Sequence, residues 1–244
     1  MSTKNKYNPE PVSSKSTYII GGLAVLVIAA LVIGGVLWTN SKNTPQNDGY
    51  GSVQNSAVDV TVQDGGVVLL GLPDAKTTID LFEDPLCPAC AALEHLSGQA
   101  VAAAIDDGHI AVRYHMLDFL NQLSSSGDYS TRAGAALTCV AESGDALAYS
   151  AFHTTLFATG TQPEENGKSD HTNDELAQIA RDAGASADAA SCISSGSGVE
   201  AAATNAATAS AALTAAGSNG TPTVVADGKI VSTSNSNWVS QFTP

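Results

Sequence analysis

The stretch "DLFEDPLCPACAALEHL", residues 80–96, holds two cysteines two residues apart, and their use decides the fold. The β-branched and aromatic run 77–83 before them, "TTIDLFE", reads as a strand. Pro85 and Pro88 bracket a turn, and the Ala/Leu-rich run from Cys90 to about Ala104 reads as a helix closed by "DDG". Cys87 therefore falls at a helix N-terminus, where unpaired backbone N–H groups and the macrodipole favour a thiolate. Pro88 costs nothing at the first helical position, because its missing N–H would have been unpaired there anyway. Cys90, one turn in, is shielded and faces the same sulfur, as a resolving thiol must.

Zinc would need two further ligands at matching spacing. Cys139 and Cys192 form no second C-x-x-C and His95 has no companion, so no metal is expected. A purely structural bond between Cys87 and Cys90 would be strained and would close almost no loop. The surroundings favour a redox pair.

Upstream, "VDVTVQDGGVVLLG" reads as a hairpin of Val58–Val62 and Val67–Leu70. Downstream, "HIAVRYHML" is a strand. Between about residues 118 and 216 the pattern turns helical. "YSTRAGAALTCVAESG", "DALAYSAFHTTLFATG", "TNDELAQIARDAG", "SADAASCISSG" and "GVEAAATNAATASAALTAAG" each read as a helix, most with a capping residue at the start and Gly near the end. "TPTVVADGKIVS" then gives two short strands around "ADGK", and "NSNWVSQF" a short final helix. The order implies an α/β fold, a sheet with an inserted α-helical subdomain, because a hundred residues is far too long for a loop.

The segment 18–38 is a continuous apolar run, and no Asp, Glu, Lys or Arg occurs between Lys15 and Lys42. As a helix it rises roughly 30 Å, the thickness of a bilayer core. Tyr18 and Trp38 fit the interfacial belt. The run is longer than a signal-peptide core and no small-x-small site follows, so an uncleaved transmembrane helix is expected. Lys4, Lys6 and Lys15 place residues 1–17 in the cytoplasm and everything after the helix outside. Residues 39–57 read as a flexible linker and 58–244 as the folded domain. The net charge of -14, with no basic patch, excludes nucleic acid as a partner. An extracytoplasmic compartment permits disulfides.

"FEDPLCPAC" (82–90), with "NGTPTVVADGK" (219–229) far downstream, resembles the DsbA-like branch of the thioredoxin superfamily, in its membrane-anchored Gram-positive type. The resemblance spans 58–242 and implies a thioredoxin-like core carrying the helical insertion. It implies that Cys87 is the nucleophile and Cys90 its partner. Pro222 corresponds to the family's cis-proline beside the active-site sulfur, with Thr221 before it presenting backbone to an extended substrate strand. It also implies a structural disulfide between Cys139 and Cys192, worth about 4 kcal/mol in the chain-entropy model. The alternative for those two is a pair of buried free thiols.

The pattern departs from the family in two places. Ala89 stands where the best-known DsbA enzymes carry histidine. The Cys87 pKa is therefore expected below the free value of about 8.5 but above the extreme of ~3.5. The buried acid of thioredoxins, six residues before the first cysteine, is replaced by Leu81. Glu83, on the same strand, is a candidate proton relay, the alternative being an exposed strand-end glutamate. Asp80 and Asp84 read as surface residues, and Glu94 as either bordering the site or solvated. Histidines 95, 109, 115, 153 and 171 are scattered, with His115 the one placed near the site.

These readings converge on an extracytoplasmic thiol-disulfide oxidoreductase that introduces disulfides into exported proteins with free thiols. No cofactor is needed. The family implies reoxidation by a quinone-linked membrane partner. A membrane-tethered reductase, as in cytochrome maturation, and a non-catalytic substrate-binding module remain the alternatives.

Overall fold

The computed structural model describes residues 49–244. The expected cytoplasmic tail, the transmembrane helix and the first part of the linker lie outside the described residues. The strands are β1 (Asp59–Val62), β2 (Val68–Gly71), β3 (Thr77–Glu83), β4 (Ile110–Met116), β5 (Thr223–Ala226) and β6 (Lys229–Val231). They form one sheet in the order β1-β2-β4-β3-β5-β6. β3 runs parallel to β4 and antiparallel to β5, which puts the strand leading to Cys87 in the middle of the sheet.

A helix, α1 (Pro88–Asp106), makes the crossover from β3 to β4. The insert comprises α2 (Tyr129–Ala141), α3 (Ala146–Phe157), α4 (Asn173–Asp182), α5 (Ala187–Ser195) and α6 (Val199–Ala215). Their boundaries follow local chemistry. Asp145 and Ser186 cap α3 and α5, and Thr172 with Glu175 forms a capping box on α4. At the β5–β6 turn both central residues, Asp227 (φ 50°) and Gly228 (φ 72°), are left-handed, the conformation that a two-residue hairpin requires.

Strand alternation sorts side chains onto two faces. Leu81, Tyr114 and Val224 join the main core with Leu93 of α1 and Tyr149 and Phe152 of α3. Phe82, Leu117 and Val225 pack on the opposite face against Ala209 and Leu213 of α6. Cys139 in α2 is bonded to Cys192 in α5, with Cα atoms 5.9 Å apart, so the disulfide lies wholly within the insert.

Three expectations are corrected. The hairpin strands each begin one residue later than expected, at Asp59 and Val68. The helix after the cysteines is longer, beginning at Pro88 and ending at Asp106. The supposed linker is, from residue 49 onward, part of the fold. Val53 is buried and its N–H donates to Ser150 Oγ (3.0 Å). Asp106 accepts the N–H groups of Gln54 and Asn55, both at 3.0 Å from Oδ1. A polar composition suggested a tether, but the polar groups here are satisfied by α1 and α3.

Candidate redox-active site

Cys87 is the N-cap of α1 with extended backbone (φ -73°, ψ 117°), and Pro88 is the first helical residue. The Cys87 carbonyl accepts the N–H groups of Cys90 (3.1 Å) and Ala91 (3.2 Å). Pro88 and Ala89 are exposed, whereas Cys87 and Cys90 are buried and carry free thiols. Phe157, at the C-terminal end of α3, forms one buried cluster with the two cysteines, with Ala91 and Leu120 packed against it. The insert thus supplies one wall of the site.

Thr221 and Pro222, which precede β5, supply another wall. Their peptide bond is cis, and the Cys87 Sγ lies 3.5 Å from the Thr221 carbonyl oxygen, to which the thiol donates. Both residues are half-buried and so border the exposed Pro88–Ala89 turn.

The two sulfurs differ sharply. The Cys87 pKa is lowered to about 6, chiefly by its hydrogen bond with the Cys90 thiol. Burial opposes this, and a hydrogen bond from the Thr221 side chain and the backbone N–H groups of Cys90 and Ala89 assist it. That value sits inside the range expected for a helix-terminal thiol lacking the neighbouring histidine. Cys90 is pushed well above the ordinary thiol value, first by burial and then by its interaction with Cys87 and the nearby Glu83. One sulfur ionises readily and its partner holds its proton.

Glu83 is fully buried at the end of β3 and is no exposed strand-end residue. Its Oε2 lies 2.9 Å from Nε2 of His153 on α3, while its Oε1 has no hydrogen-bond partner among the described residues. Burial raises its pKa well above the carboxylate range, and the Cys87 charge adds to this. Leu81, at the family's usual acid position, is a core residue. Glu94, one turn beyond Cys90, is also buried, and burial with the neighbouring Glu83 raises its pKa to about 7. Glu83, Glu94 and His153 offer atoms within 4.8 Å of one another. Either protons or a cation could neutralise such a set. Burial favours the protonated form of both acids.

Asp84 is a second correction. It is fully buried and organises the turn: Oδ1 accepts from Leu86 N (2.9 Å) and Ser130 Oγ (2.6 Å), and Oδ2 from Leu120 N (3.0 Å). Burial raises its pKa to about 6 against these bonds. Gln162 donates from Nε2 to the carbonyls of Pro85 and Cys87, both at 3.0 Å. Asp80 is half-buried and ion-paired rather than free on the surface. Burial raises its pKa, but hydrogen bonds from His115 and Arg113 outweigh it and hold the carboxyl near 2. His115 stacks on Phe82, on the face of β3 opposite Glu83, and does not join the site. Sequence spacing could not single out His153, Ser130 or Gln162, because each reaches the site from a separate element of the insert.

The protein-family model described as Thioredoxin matches residues 63–241. Among curated proteins, the serine/threonine-protein kinase PknE of Mycobacterium tuberculosis is 39% identical over 186 residues, covering 76% of this chain. The chain spans 33% of that relative's length. Among solved structures, MdbA of Corynebacterium diphtheriae, a thiol-disulfide oxidoreductase, superposes with a TM-score of 0.68 at 29% identity. That match covers 82% of this chain and 99% of MdbA. Oxidised DsbA of M. tuberculosis matches with a TM-score of 0.56 at 31% identity, covering 72% of this chain and 85% of its own. Family model, relatives and the asymmetric thiol pair at the head of α1 agree: the chain belongs to the thioredoxin family and is a DsbA-like thiol-disulfide oxidoreductase.

Proposed function

We propose that this enzyme works outside the cytoplasmic membrane, tethered by the apolar segment 18–38, and oxidises cysteine pairs of exported proteins. The observation that carries the oxidising direction is the unequal pair, with Cys87 titrating at about 6 beside a Cys90 that stays protonated. A stabilised thiolate favours the reduced enzyme, and an enzyme that prefers to be reduced is an oxidant of its substrates. The disulfide within the insert supports an oxidising compartment, where such bonds persist.

The chemistry proceeds in two exchanges. A substrate thiolate attacks Sγ of Cys87 in the oxidised enzyme. The Cys87–Cys90 bond breaks, its electron pair goes to Cys90, and a mixed disulfide joins substrate to Cys87. The buried Cys90 thiolate takes a proton, and Glu83 is the acid beside it. A second substrate thiolate then attacks the substrate sulfur of the mixed disulfide and expels Cys87 as a stable thiolate. The substrate has lost two electrons and the enzyme holds them as a dithiol. Thr221, at the edge of the exposed turn, offers backbone to an extended substrate segment. The exposed ring of Phe119, beside Leu120, adds an apolar surface for it. A quinone-linked membrane partner would withdraw the electrons, and a tether would keep the enzyme within its reach.

Oxidative refolding of reduced ribonuclease, run with wild type and Cys87→Ser, tests catalysis, and a redox titration tests direction. Catalysis lost in the variant and a potential above about -270 mV, that of thioredoxin, are expected. A lower potential would favour a reductase, and equal activity in both proteins a binding module.

A further inference from the structure

The turn that carries Cys87 leaves one of its carbonyls without an internal donor. Pro85 and Pro88 have no backbone N–H. The two N–H groups between them are already used, Leu86 on Asp84 Oδ1 and Cys87 on Asp84 O, both at 2.9 Å. A tight turn closes a carbonyl onto the N–H three residues on, and for Pro85 that residue is Pro88. The proline that starts α1 beside the reactive sulfur therefore strands the Pro85 carbonyl.

The donor comes from the insert. Gln162, half-buried in the loop between α3 and α4, donates from Nε2 to Pro85 O and Cys87 O, both at 3.0 Å. Carbonyls only accept, so the amide can lie one way alone, nitrogen inward with both protons in use. The Cys87 carbonyl also receives the N–H groups of Cys90 and Ala91, the first bonds of α1. Gln162 thus joins the turn before the sulfur to the helix after it. Its loop is braced on both sides. The Gln162 N–H donates to Ala158 O (3.1 Å), next to Phe157. His171 donates from Nε2 to Thr161 O (2.7 Å), and the Asn166 N–H donates to Leu123 O (2.7 Å).

We propose that Gln162 is a positioning residue of the exchange: its amide clamps the Pro85 and Cys87 carbonyls and so holds Cys87 Sγ against Thr221 and Cys90 while disulfide and thiolate interconvert. This rests on the reading that Cys87 is the sulfur that is attacked and that ionises. Gln162 moves neither proton nor electron. It acts through the main chain of Cys87, and the positive end of its amide lies on the carbonyl of the residue whose sulfur becomes an anion. Ala89 has no side-chain donor, so this polar contact reaches the motif from outside it. Without the clamp the turn gains freedom, and the thiolate loses part of the hydrogen bonding that lowers its pKa. A less stable thiolate holds the reduced enzyme less firmly.

The test compares the full chain as wild type, Gln162→Met, of similar length without a donor, and Gln162→Glu, which when ionised only accepts. Thiolate absorbance is followed against pH, beside the equilibrium with glutathione at pH about 7. The titratable groups facing the Cys87 sulfur are Cys90 of α1, Glu83 at the end of β3 and Asp84 of the turn. The carboxyls do not absorb where a thiolate does, and Cys90 titrates far higher. Gln162→Met should raise the Cys87 midpoint by about one pH unit and shift the glutathione equilibrium about fivefold away from reduced enzyme. Gln162→Glu should raise the midpoint further, because an anion then faces two carbonyls and a thiolate. A merely structural side chain would lower the melting temperature and move neither reading. That result in Gln162→Met, or a midpoint in Gln162→Glu no higher than in Gln162→Met, overturns the inference. Cys87→Ser that still oxidises reduced ribonuclease instead overturns the reading beneath it. In the wild type, both side-chain amide protons of Gln162 should exchange with solvent at least about tenfold more slowly than those of exposed glutamines. Fast exchange there overturns the inference even where a variant does not fold.

Discussion

Ser130, on the first helix of the insert, donates a 2.6 Å hydrogen bond to Oδ1 of Asp84, the residue that anchors the turn carrying Cys87. The insert is therefore tied to the catalytic turn through a buried side-chain bond, besides packing on the cysteines through Phe157. Removing the hydroxyl leaves a buried carboxyl short of one donor. Ser130→Ala should destabilise the protein by about 1–3 kcal/mol in denaturant unfolding. It should also raise the Asp84 pKa further, because a bond that favours the carboxylate is lost.

The Cys87 thiolate should appear with a midpoint near pH 6, and Cys90 should not titrate below the ordinary thiol range. Ultraviolet absorbance of the thiolate and the pH profile of alkylation both report it. The first-named stabiliser is the Cys90 thiol, so Cys90→Ser, a different donor in the same place, should move the midpoint less than Cys90→Ala. A midpoint at the free-thiol value in the wild type would remove the basis for a reactive Cys87.

Redox state and pH should be coupled in stability. A thiol whose pKa is depressed on folding stabilises the reduced protein above its unfolded pKa, and that gain is lost as pH falls through about 6. The oxidised protein lacks this group. The reduced form should therefore melt higher than the oxidised form at pH 8, with the gap closing below pH about 6.

The oxidised protein isolates the buried acids. Asp84, Glu94 and Glu83 all have raised pKa values, so their contribution is full below their unfolded values and is lost as pH rises through about 6 and about 7. His153, with a lowered pKa, acts in the opposite sense and is one group against three. The stability of oxidised enzyme should fall between pH 5 and 8. Glu94→Gln should flatten that fall by up to about 3 kcal/mol, the cost of ionising a group moved from 4.5 to about 7. A pH-independent melting temperature in the wild type would contradict this.

The redox pair, the strand before it and the helix after it were legible at 80–96 because β-branched content, a proline at N1 and an Ala/Leu-rich run are local signals. The helices of the insert were legible for the same reason. What escaped was burial of charge. Asp84 and Glu94 carry no sequence mark that separates a buried acid from a solvated one, since their burial depends on where α2 and α3 come to rest. His153 likewise looked like any isolated histidine until the insert folded back onto β3. The polar run 49–57 was misjudged because its contacts are backbone N–H groups meeting side chains such as Asp106 and Ser150, and residue type alone does not reveal these.

That run also makes the last prediction. From Gly49 to Asn55 the chain lies along α1 and bridges to α3. The Gly49 N–H donates to His95 O (3.0 Å), Thr154 Oγ1 donates to Gly51 O (2.7 Å), and Tyr50 Oη meets Thr159 Oγ1 at 3.1 Å. Gly51 lies so close to α1 that a Cβ there would fall 2.4 Å from the Gln99 Cα, against helix backbone that cannot yield. A protein beginning at residue 58 should therefore lose several hydrogen bonds and the burial of Val53, while one beginning at residue 49 keeps them. At about 1 kcal/mol per bond, the shorter protein should be less stable by a few kcal/mol in urea unfolding. Gly51→Ala within the longer one should cost a comparable amount by lifting the strap. Equal stability of the two truncated proteins would mean that the segment rests on the domain without holding it.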